Sequence, residues 1–197
     1  MQTVIVKYNA GNVQSVLYAL ERVGFEATLS DDPAVIQKAD KVIFPGVGHA
    51  SSAMAFLKEK GLDNTLRNLS QPTLGICLGM QLMCSHSQEG DTPCLGIFEE
   101  PVLGFKAEKQ GLKVPQIGWN QIKDLKTPLF EGIEAGSFIY LVHGYYAAVG
   151  QHTIATTDYI HPYSTALHKD NFYGVQFHPE KSAQIGEQIL LNFMTKI

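Results

Sequence analysis

The sequence predicts an α/β fold in which helices flank a mostly parallel central sheet. In the first half of the chain, short apolar runs typical of buried strands alternate with segments whose apolar residues recur at helical spacing. Such an alternation is typical of a parallel sheet that is covered on both faces. In the second half, short strand-like runs separated by turn signals indicate an added antiparallel region at one edge of the sheet.

Four strands and the helices between them are expected in the first half. The strands are predicted at residues 4–6, 27–29, 41–44 and 73–76. Asn12 is the predicted N-cap of the first helix, and Gly24 is expected to end that helix. Later helical segments are expected to bury the apolar residues Met54, Leu57, Leu62 and Leu66.

The second half is predicted to be rich in short strands. They are expected near residues 102–105, 116–122, 138–142, 153–157, 164–167 and 172–177. A final helix is expected over about residues 183–194, with Ile189 and Phe193 on its apolar face. Because the chain shows no internal repeat, low-complexity tract or linker, residues 1–197 are predicted to form a single domain.

Composition argues against several classes of protein. Hydrophobic residues make up 45% and charged residues 17% of the 197 residues, an ordinary balance for a globular protein. The formal net charge of -4 offers no basic surface for nucleic acid, and no apolar run approaches the roughly 20 residues that a membrane span needs. The N-terminus lacks the pattern of a signal peptide, and the three cysteines form no CxxC pair, so a cytoplasmic protein without disulfides is predicted.

Cys77 is the strongest candidate for a nucleophile. It lies in the run TLGICLGMQ (73–81), where G-x-C-x-G follows an apolar run and precedes an amphipathic one. This is the cysteine form of a nucleophile elbow, a sharp strand-to-helix turn that exposes one side chain. The flanking glycines allow a strained backbone, and the N-terminus of the following helix favours the reactive thiolate. Cys84 and Cys94 lack this context and are expected to be inert.

The run GVQFHPE (174–180) supplies a candidate base. A nucleophilic cysteine needs a group that takes its proton and later protonates the leaving group, and His178 suits that role. Glu180 would lie on the same side of an extended stretch and could orient the imidazole. Cys77, His178 and Glu180 are therefore predicted to form a triad. A zinc site at His-Pro-Glu is a weaker alternative, because the P-C-x-x-C run of zinc deaminases is missing from this sequence.

The loop FPGVG (44–48) has the composition of an oxyanion site. Gly46 and Gly48 bracket Val47, which allows peptide flips and exposes backbone N–H groups. Such donors can stabilise the oxyanion of a tetrahedral intermediate. An ordinary Pro-Gly turn is the alternative that this loop alone leaves open.

Together these motifs resemble those of a known family. The runs GICLGMQ (75–81), PGVG (45–48) and VQFHPE (175–180) are similar to the three motifs of class I (triad) glutamine amidotransferases. The runs VPQIGWN (114–120) and YLVHGY (140–145), with the Lys-Ser pair at 181–182, resemble in particular the glutaminase subunits of imidazole glycerol phosphate synthase, in histidine biosynthesis. The resemblance covers essentially the whole chain, including the turn at 10–12.

The resemblance implies a role for each matching residue. Cys77 would attack the side-chain amide of glutamine and form a glutamyl thioester, His178 would act as base and acid, and Glu180 would orient it. The oxyanion hole would be formed by the backbone of Leu78 and of Val47 or Gly48. The implied glutamine-binding residues are Gly46, Gln81, Glu89, His143, Gly144 and Tyr145, and the implied partner-facing residues are Asn12, Trp119 and Lys181.

The resemblance also implies a partner. A (β/α)8-barrel cyclase subunit of the synthase would form a heterodimer with this chain and receive ammonia through a tunnel. Neither a cofactor nor a metal is implied. The substrate of the chain itself would be glutamine.

The sequence departs from the family pattern at a few positions. Gln116 stands where the family usually has His, Gly144 where it has Ser, and the His-Ala pair at 49–50 where it has Ala-Phe. The chain also has Lys-Tyr-Asn-Ala at 7–10, where the family usually has an acidic residue and a Gly-rich turn. No triad member is lost, although Gly144 can offer only its backbone to a ligand.

Three other functions stay open at this point. The chain could serve another synthase, such as anthranilate synthase, although the Gly-Trp-Asn run and the Lys-Ser pair argue against this. It could be a free-standing cysteine hydrolase of related fold, although Gln81 and Glu89 suit a free amino acid better than a peptide. It could also be a non-catalytic regulatory module, which the intact triad disfavours.

Overall fold

The computed structural model describes residues 1–8, 12–106 and 111–197. In the first half, the elements are β1 (Thr3–Val6), α1 (Val13–Arg22), β2 (Thr28–Ser30), α2 (Pro33–Lys38), β3 (Lys41–Gly46), α3 (Ala50–Glu59), α4 (Leu62–Arg67), β4 (Thr73–Cys77) and α5 (Leu78–Met83). The turn predicted at 10–12 lies mostly outside the described residues.

The second half is made largely of strands. They are β5 (His86–Ser87), β6 (Thr92–Pro93), β7 (Val102–Gly104), β8 (Gln116–Gln121), β9 (Phe138–His143), β10 (Tyr145–Ala147), β11 (Thr153–Asp158), β12 (Pro162–Lys169) and β13 (Phe172–Val175). Two 3-10 turns, η1 (Pro128–Phe130) and η2 (Pro179–Lys181), and the final helix α6 (Ala183–Lys196) complete the described elements.

A parallel sheet forms the centre of the molecule. In the described part of the chain, the strand order is β2-β1-β3-β4-β13-β12-β10-β7-β5-β6, and β11 pairs with β12. The five strands from β2 to β13 run parallel to one another. This arrangement confirms the predicted α/β fold with a mostly parallel central sheet.

The antiparallel strands lie on one side of this parallel sheet, as predicted. β12, β10 and β7 continue the sheet by antiparallel pairing. Among the described strands, β8 and β9 instead form a separate two-stranded sheet, which we call the β8–β9 ribbon. The assignment of residues 172–177 to the antiparallel edge is wrong, because β13 lies in the interior between β4 and β12. All four residues of β13 are buried, as expected of a central strand.

Side chains of the parallel strands point alternately into two apolar cores. Ile5 packs in the core that α1 and α6 cover, where it joins Leu20 and Phe193. Its neighbour Val4 packs in the opposite core, together with Met54 of α3. Fully burying one such side chain is worth about 1.5–3 kcal/mol. Burial on both faces therefore stabilises the parallel sheet. It also holds the carboxyl ends of the parallel strands in place.

The ends of α1 match their sequence signals only in part. Gly24, at φ 87°, donates its N–H to the carbonyl of Glu21 (3.0 Å) and ends the helix as predicted. Asn12 occupies the predicted N-cap position, but its side chain makes no capping hydrogen bond. That side chain donates instead to Glu180.

Helix α2 was missed although the sequence carries a start signal for it. The Asp32 carboxylate accepts a hydrogen bond from the N–H of Ala34 (2.8 Å), and Pro33 occupies the first helical position. The helix is only six residues long, so its apolar periodicity is too short to detect. No helix among the described residues has the length and apolarity needed to cross a membrane.

Candidate active site

Cys77 lies at the predicted elbow between β4 and α5. It is the last residue of β4, and Leu78 begins α5. Its backbone angles, φ 54° and ψ -112°, are strained for a residue with a side chain. Strain of this kind is retained where the surroundings over-determine the conformation, as at a functional site.

Glycines on both sides of Cys77 let α5 pack tightly against the sheet. A Cβ on Gly79 would lie 1.8 Å from the carbonyl oxygen of Phe44 in β3. A Cβ on Gly75 would lie 2.5 Å from the sulfur of Met83 and 2.9 Å from the backbone nitrogen of Met80. Backbone atoms cannot move aside, so the G-x-C-x-G pattern is what permits this close packing.

The structure brings His178 and Glu180 to the elbow. β13 runs parallel to β4 with Val175 opposite Ile76, so the chain that leaves β13 passes beside Cys77. His178 Nδ1 lies 2.7 Å from Glu180 Oε1, and both side chains are almost completely buried. Cys77 therefore meets a pair of side chains that lies about a hundred residues further along the chain, as the triad prediction requires. The catalytic roles of the three residues stay predictions.

The prediction of an extended segment at His178 and Glu180 is wrong. Residues Pro179–Lys181 form the 3-10 turn η2, in which the N–H of Lys181 donates to the carbonyl of His178 (3.0 Å). Pro179 fits the first position of such a turn, because its φ is already close to the helical value and no N–H is needed there. The turn, and not the period of a strand, brings the two side chains together.

Three further residues hold this pair in place. The N–H of His178 donates to the carbonyl of Tyr140 (2.9 Å), and the hydroxyl of Ser182 donates to the carbonyl of His178 (2.7 Å). The side-chain amide of Asn12 donates to Glu180 Oε1, the oxygen that also contacts His178. Glu180 Oε2 is buried without a hydrogen-bond partner among the described residues, so the carboxylate concentrates its interactions on Oε1.

His178 is held in its protonated form. Burial by itself would lower its pKa, but hydrogen bonds and charge interactions with Cys77 and Glu180 outweigh burial and raise the pKa of His178 to about 10. At neutral pH the site therefore contains an imidazolium at the cavity that Cys77 also lines.

The raised pKa of His178 predicts how stability depends on pH. Because the folded-state pKa of about 10 exceeds the ordinary value of 6.5, the stability due to this proton is fully present below pH 6.5 and is lost as the pH rises towards 10. We expect the difference in unfolding free energy between the wild type and His178→Gln, measured in urea, to shrink across this range. A difference that stays constant would contradict the ion pair.

A cavity of about 310 Å³ opens in front of Cys77. This volume is at the small end of the range for ligand sites. The lining residues are Val47, Gly48, Cys77, Leu78, Gln81, Glu89, Pro115, Val142, His143, Gly144, Tyr145, His178 and Lys181. Most of the residues implied by the family resemblance therefore meet at one cavity, whereas Gly46, Asn12, Trp119 and Glu180 are not among its lining residues.

Two polar side chains in the cavity wall are oriented by hydrogen bonds to neighbouring protein groups. Gln81 Nε2 donates to the carbonyl of Tyr145 (2.8 Å) and to Gln176 Oε1 (2.9 Å), so this amide can present only its oxygen to a ligand. Glu89 Oε2 accepts the N–H of Ala50 at the start of α3 (2.7 Å). The wall thus carries a negative charge and a neutral acceptor, which together suit an ammonium group.

His143 is a neutral imidazole beside the cavity. Burial lowers its pKa to about 4, and the charge on His178 acts in the same direction. Its Nδ1 lies 2.7 Å from the carbonyl oxygen of Tyr145, so Nδ1 carries the proton. Its Nε2 lies 3.2 Å from the hydroxyl of Tyr163, which is also 3.0 Å from the side-chain oxygen of Gln116. These buried contacts fix the backbone of the cavity wall.

The loop after β3 brings Val47 and Gly48 to the cavity that Leu78 also lines. Gly46, the last residue of β3, is in register with Cys77 of β4. Gly48 has φ 117°, a conformation that residues with side chains rarely adopt. An oxyanion beside Cys77 could therefore bind backbone groups of this loop and of the first turn of α5. The role of these groups as an oxyanion hole stays a prediction.

The predicted partner-facing residues have different surroundings. Trp119 packs edge-on against Tyr140 of the β8–β9 ribbon, with ring centres 5.7 Å apart. Lys181 Nζ lies 6.0 Å from the centre of the same Tyr140 ring and also lines the cavity. The side chain of Asn12 is used inside the molecule, on Glu180. A partner-facing role for these three residues stays a prediction.

Sequence analysis missed two residues that lie close to Cys77. Gln176 Nε2 lies 3.7 Å from Cys77 Sγ. The buried hydroxyl of Tyr8 fills the space that a Cβ on Gly46 would need, at 2.0 Å. Gln176 stands inside a recognised motif, but its contact with Cys77 depends on the parallel pairing of β13 with β4, which sequence spacing does not specify.

The other two cysteines are buried thiols without a disulfide. Burial raises the pKa of Cys94 to about 11 and that of Cys84 well above its ordinary value, so both are poor nucleophiles at neutral pH. Within the described ranges, no group of three His, Cys, Asp or Glu side chains is arranged to hold a metal ion.

Comparisons with solved structures show a shared fold. A putative GMP synthase protein from Thermoplasma acidophilum superposes with a TM-score of 0.74 at 17% identity, covering 98% of this chain and 92% of that chain. PurLQS from Thermotoga maritima superposes with a TM-score of 0.71 at 17% identity, covering 99% of this chain and 98% of that chain.

Sequence comparisons identify the family. Imidazole glycerol phosphate synthase subunits HisH from Bacteroides fragilis and Bacteroides thetaiotaomicron are each 55% identical to this chain, over 98% of it and 99% of their own length. The corresponding subunit from Shewanella loihica is 46% identical, over 98% of this chain and 89% of its own. The family model "Glutamine amidotransferase class-I" matches residues 4–197. The chain therefore belongs to the class-I glutamine amidotransferase family.

Proposed function

We propose that this chain is the glutaminase subunit of an imidazole glycerol phosphate synthase, acting as one domain over residues 1–197 in the cytoplasm. The observation that carries the proposal is the meeting of Cys77, His178 and Glu180 at a cavity whose wall holds Glu89 and Gln81. The 55% identity to HisH subunits over nearly the whole chain supports the choice of synthase.

The first half of the reaction forms a glutamyl thioester. The Cys77 thiolate attacks the side-chain carbonyl carbon of glutamine, and backbone N–H groups of Leu78 and of Val47 or Gly48 stabilise the negative oxygen. His178 donates Nδ1–H to Glu180, so its Nε2 proton is the one that passes to the leaving nitrogen. The C–N bond then breaks, ammonia leaves, and the glutamyl group stays on the sulfur.

The second half releases glutamate. Neutral His178 takes a proton from a water molecule, whose oxygen attacks the thioester carbon. The C–S bond breaks, Cys77 leaves as a thiolate, and His178 is again an imidazolium. The carboxylic acid product gives its proton to solvent. Glu180 keeps the imidazole in one orientation through both halves.

The cavity selects a free amino acid by charge. The carboxylate of Glu89 and the side-chain oxygen of Gln81 are both acceptors at the cavity wall. They would bind the α-ammonium group of glutamine, which a residue inside a peptide lacks. The backbone from His143 to Tyr145 would hold the substrate beside them, because Gly144 contributes no side chain.

The β8–β9 ribbon offers a surface for the cyclase. Ile117, Trp119 and Phe138 are 64%, 52% and 54% exposed. Because Trp119 pairs with Tyr140 and Gln121 with Phe138, these side chains share one face of the ribbon. An exposed apolar face with a central tryptophan is typical of a protein interface.

This surface is also connected to the site of ammonia release. Lys181 both lines the cavity and lies over the ring of Tyr140, against which Trp119 packs. A partner on the ribbon would therefore lie next to the place where ammonia forms. This arrangement supports a heterodimer in which the cyclase receives ammonia through a tunnel, without its release to bulk solvent.

Co-purification with the cyclase subunit of the synthase tests the proposal. We expect a stable heterodimer, with glutamine hydrolysis that is weak for the chain alone and rises when the cyclase and its nucleotide substrate are bound. The Trp119→Ala variant should weaken assembly by about 10- to 100-fold, the effect of removing an interface hot spot. Titration of one labelled subunit with the other measures this affinity.

The matched control is Val149→Ala, which shortens another exposed apolar side chain, 55% exposed and outside the ribbon. This variant should assemble with wild-type affinity. Failure to bind the cyclase, or assembly only with a component of a different synthase, would refute the proposed partner. High glutamine turnover by the isolated chain that no partner alters would refute the coupling.

A further inference from the structure

We infer that Gln176 is a further catalytic residue, whose side-chain amide donates a hydrogen bond to the sulfur of Cys77 and stabilises the thiolate. This inference deepens the function proposed above, because it concerns the same sulfur. Its test uses a reaction that needs no glutamine, so the two can fail separately.

Gln176 is placed by the sheet and not by a mobile loop. It directly follows Val175, the last residue of β13, and its N–H donates to the carbonyl of Thr165 in β12 (2.8 Å). Its side chain is completely buried. The amide nitrogen Nε2 lies 3.7 Å from Cys77 Sγ, within hydrogen-bonding range of a sulfur acceptor.

The orientation of this amide is fixed by its other neighbours. The carbonyl of Tyr145 can only accept, so the Gln81 atom that contacts it at 2.8 Å must be the nitrogen. The same nitrogen contacts Gln176 at 2.9 Å, so the Gln176 atom there must be the oxygen. The NH₂ group of Gln176 therefore faces Cys77, and the chain of amides presents a donor to the sulfur.

A donor at this position stabilises negative charge on the sulfur at two stages of the reaction. Before attack, it stabilises the thiolate together with the His178 imidazolium. During breakdown of the thioester, negative charge returns to the sulfur as the C–S bond breaks. His178 begins that step neutral and takes its proton from water, whereas Gln176 keeps a donor facing the sulfur throughout. In the thioester itself the sulfur is uncharged, and the hydrogen bond is weaker there.

The variant Gln176→Glu tests this inference with little change of shape. One carboxylate oxygen can still accept from Gln81, while the other places an acceptor and a charge against the sulfur. We expect alkylation of Cys77 by iodoacetamide, followed by peptide mass spectrometry, to slow about ten-fold at pH 7. At a pH high enough to ionise the thiol fully, the rate should return to that of the wild type.

A second variant and a control keep the test decisive. Gln176→Leu removes the donor without adding a charge and should slow alkylation at pH 7 in the same direction. Gln71→Glu makes the same amide-to-carboxylate change at a residue that donates to the carbonyl of Ile36 (2.8 Å) outside the cavity. It should leave the alkylation profile of Cys77 unchanged.

Two results would overturn the inference. One is a wild-type alkylation rate at pH 7 in either folded Gln176 variant, as judged by thermal unfolding. The other is slowing by the same factor at every pH, which would indicate altered access to Cys77 and not altered ionisation. If the inference holds, kcat for glutamine should also fall about ten-fold or more in Gln176→Glu, because the leaving thiolate loses its donor.

Discussion

The Cys77→Ala variant is expected to lose glutamine hydrolysis by about 10⁴-fold or more, as when the nucleophile of a triad is removed. Synthesis by the assembled cyclase from added ammonia should stay near the wild-type rate. The reason is the proposed division of labour, in which Cys77 releases ammonia and the partner uses it. Product formation with glutamine or with an ammonium salt as nitrogen source measures both activities in the same complex.

The matched control for this variant is Cys84→Ala. Cys84 is a buried thiol whose pKa is raised by burial, and it is not among the residues that line the cavity. Its removal should leave both activities close to those of the wild type. Equal loss of glutamine-dependent and ammonia-dependent synthesis in Cys77→Ala would contradict the division of labour.

The Glu180→Gln variant should lower kcat by about 10³- to 10⁴-fold and change KM for glutamine little. Glu180 contacts His178 and Asn12 through one oxygen and is not a lining residue of the cavity. Without the carboxylate charge, the pKa of His178 falls and the imidazole loses the partner that fixes its protonated nitrogen. Steady-state kinetics of glutamine hydrolysis by the complex separate kcat from KM.

Glu187→Gln provides the same chemical change at a remote position. Glu187 is partly exposed and pairs with Arg22 at 2.8 Å on the surface, an interaction that contributes little. Its kinetics should match those of the wild type. If Glu180→Gln kept more than about a tenth of the wild-type kcat, the orienting role of Glu180 would be wrong.

Local sequence patterns predicted the parts of the site that depend on backbone conformation. The G-x-C-x-G run predicted the elbow, because tight packing of α5 on the Phe44 carbonyl requires glycine at position 79. The apolar runs predicted the first, third and fourth strands, because strands buried on both faces need them. In these places the backbone conformation or the burial of a residue restricts which residue types fit, so the residue type predicts the structure.

The meeting of Cys77 with His178 was predicted from motifs, but contacts between distant segments that no motif marks were not. The position of β13 between β4 and β12 decides that Gln176 contacts Cys77, and no local pattern specifies that order. The link from Gln81 through Gln176 to the sulfur likewise joins residues 95 and 99 positions apart. The 3-10 turn after His178 was mistaken for extended chain, although Pro179 fits the first position of such a turn.

Mass spectrometry of the acid-quenched complex can reveal whether Cys77 carries the glutamyl group during turnover. After the glutaminase chain, its cyclase and glutamine are mixed, we expect a glutamyl adduct on the peptide that contains Cys77. The peptides that contain Cys84 and Cys94 should stay unmodified. Turnover with no adduct on Cys77 at any quench time, or with the adduct on another residue, would exclude Cys77 as the nucleophile.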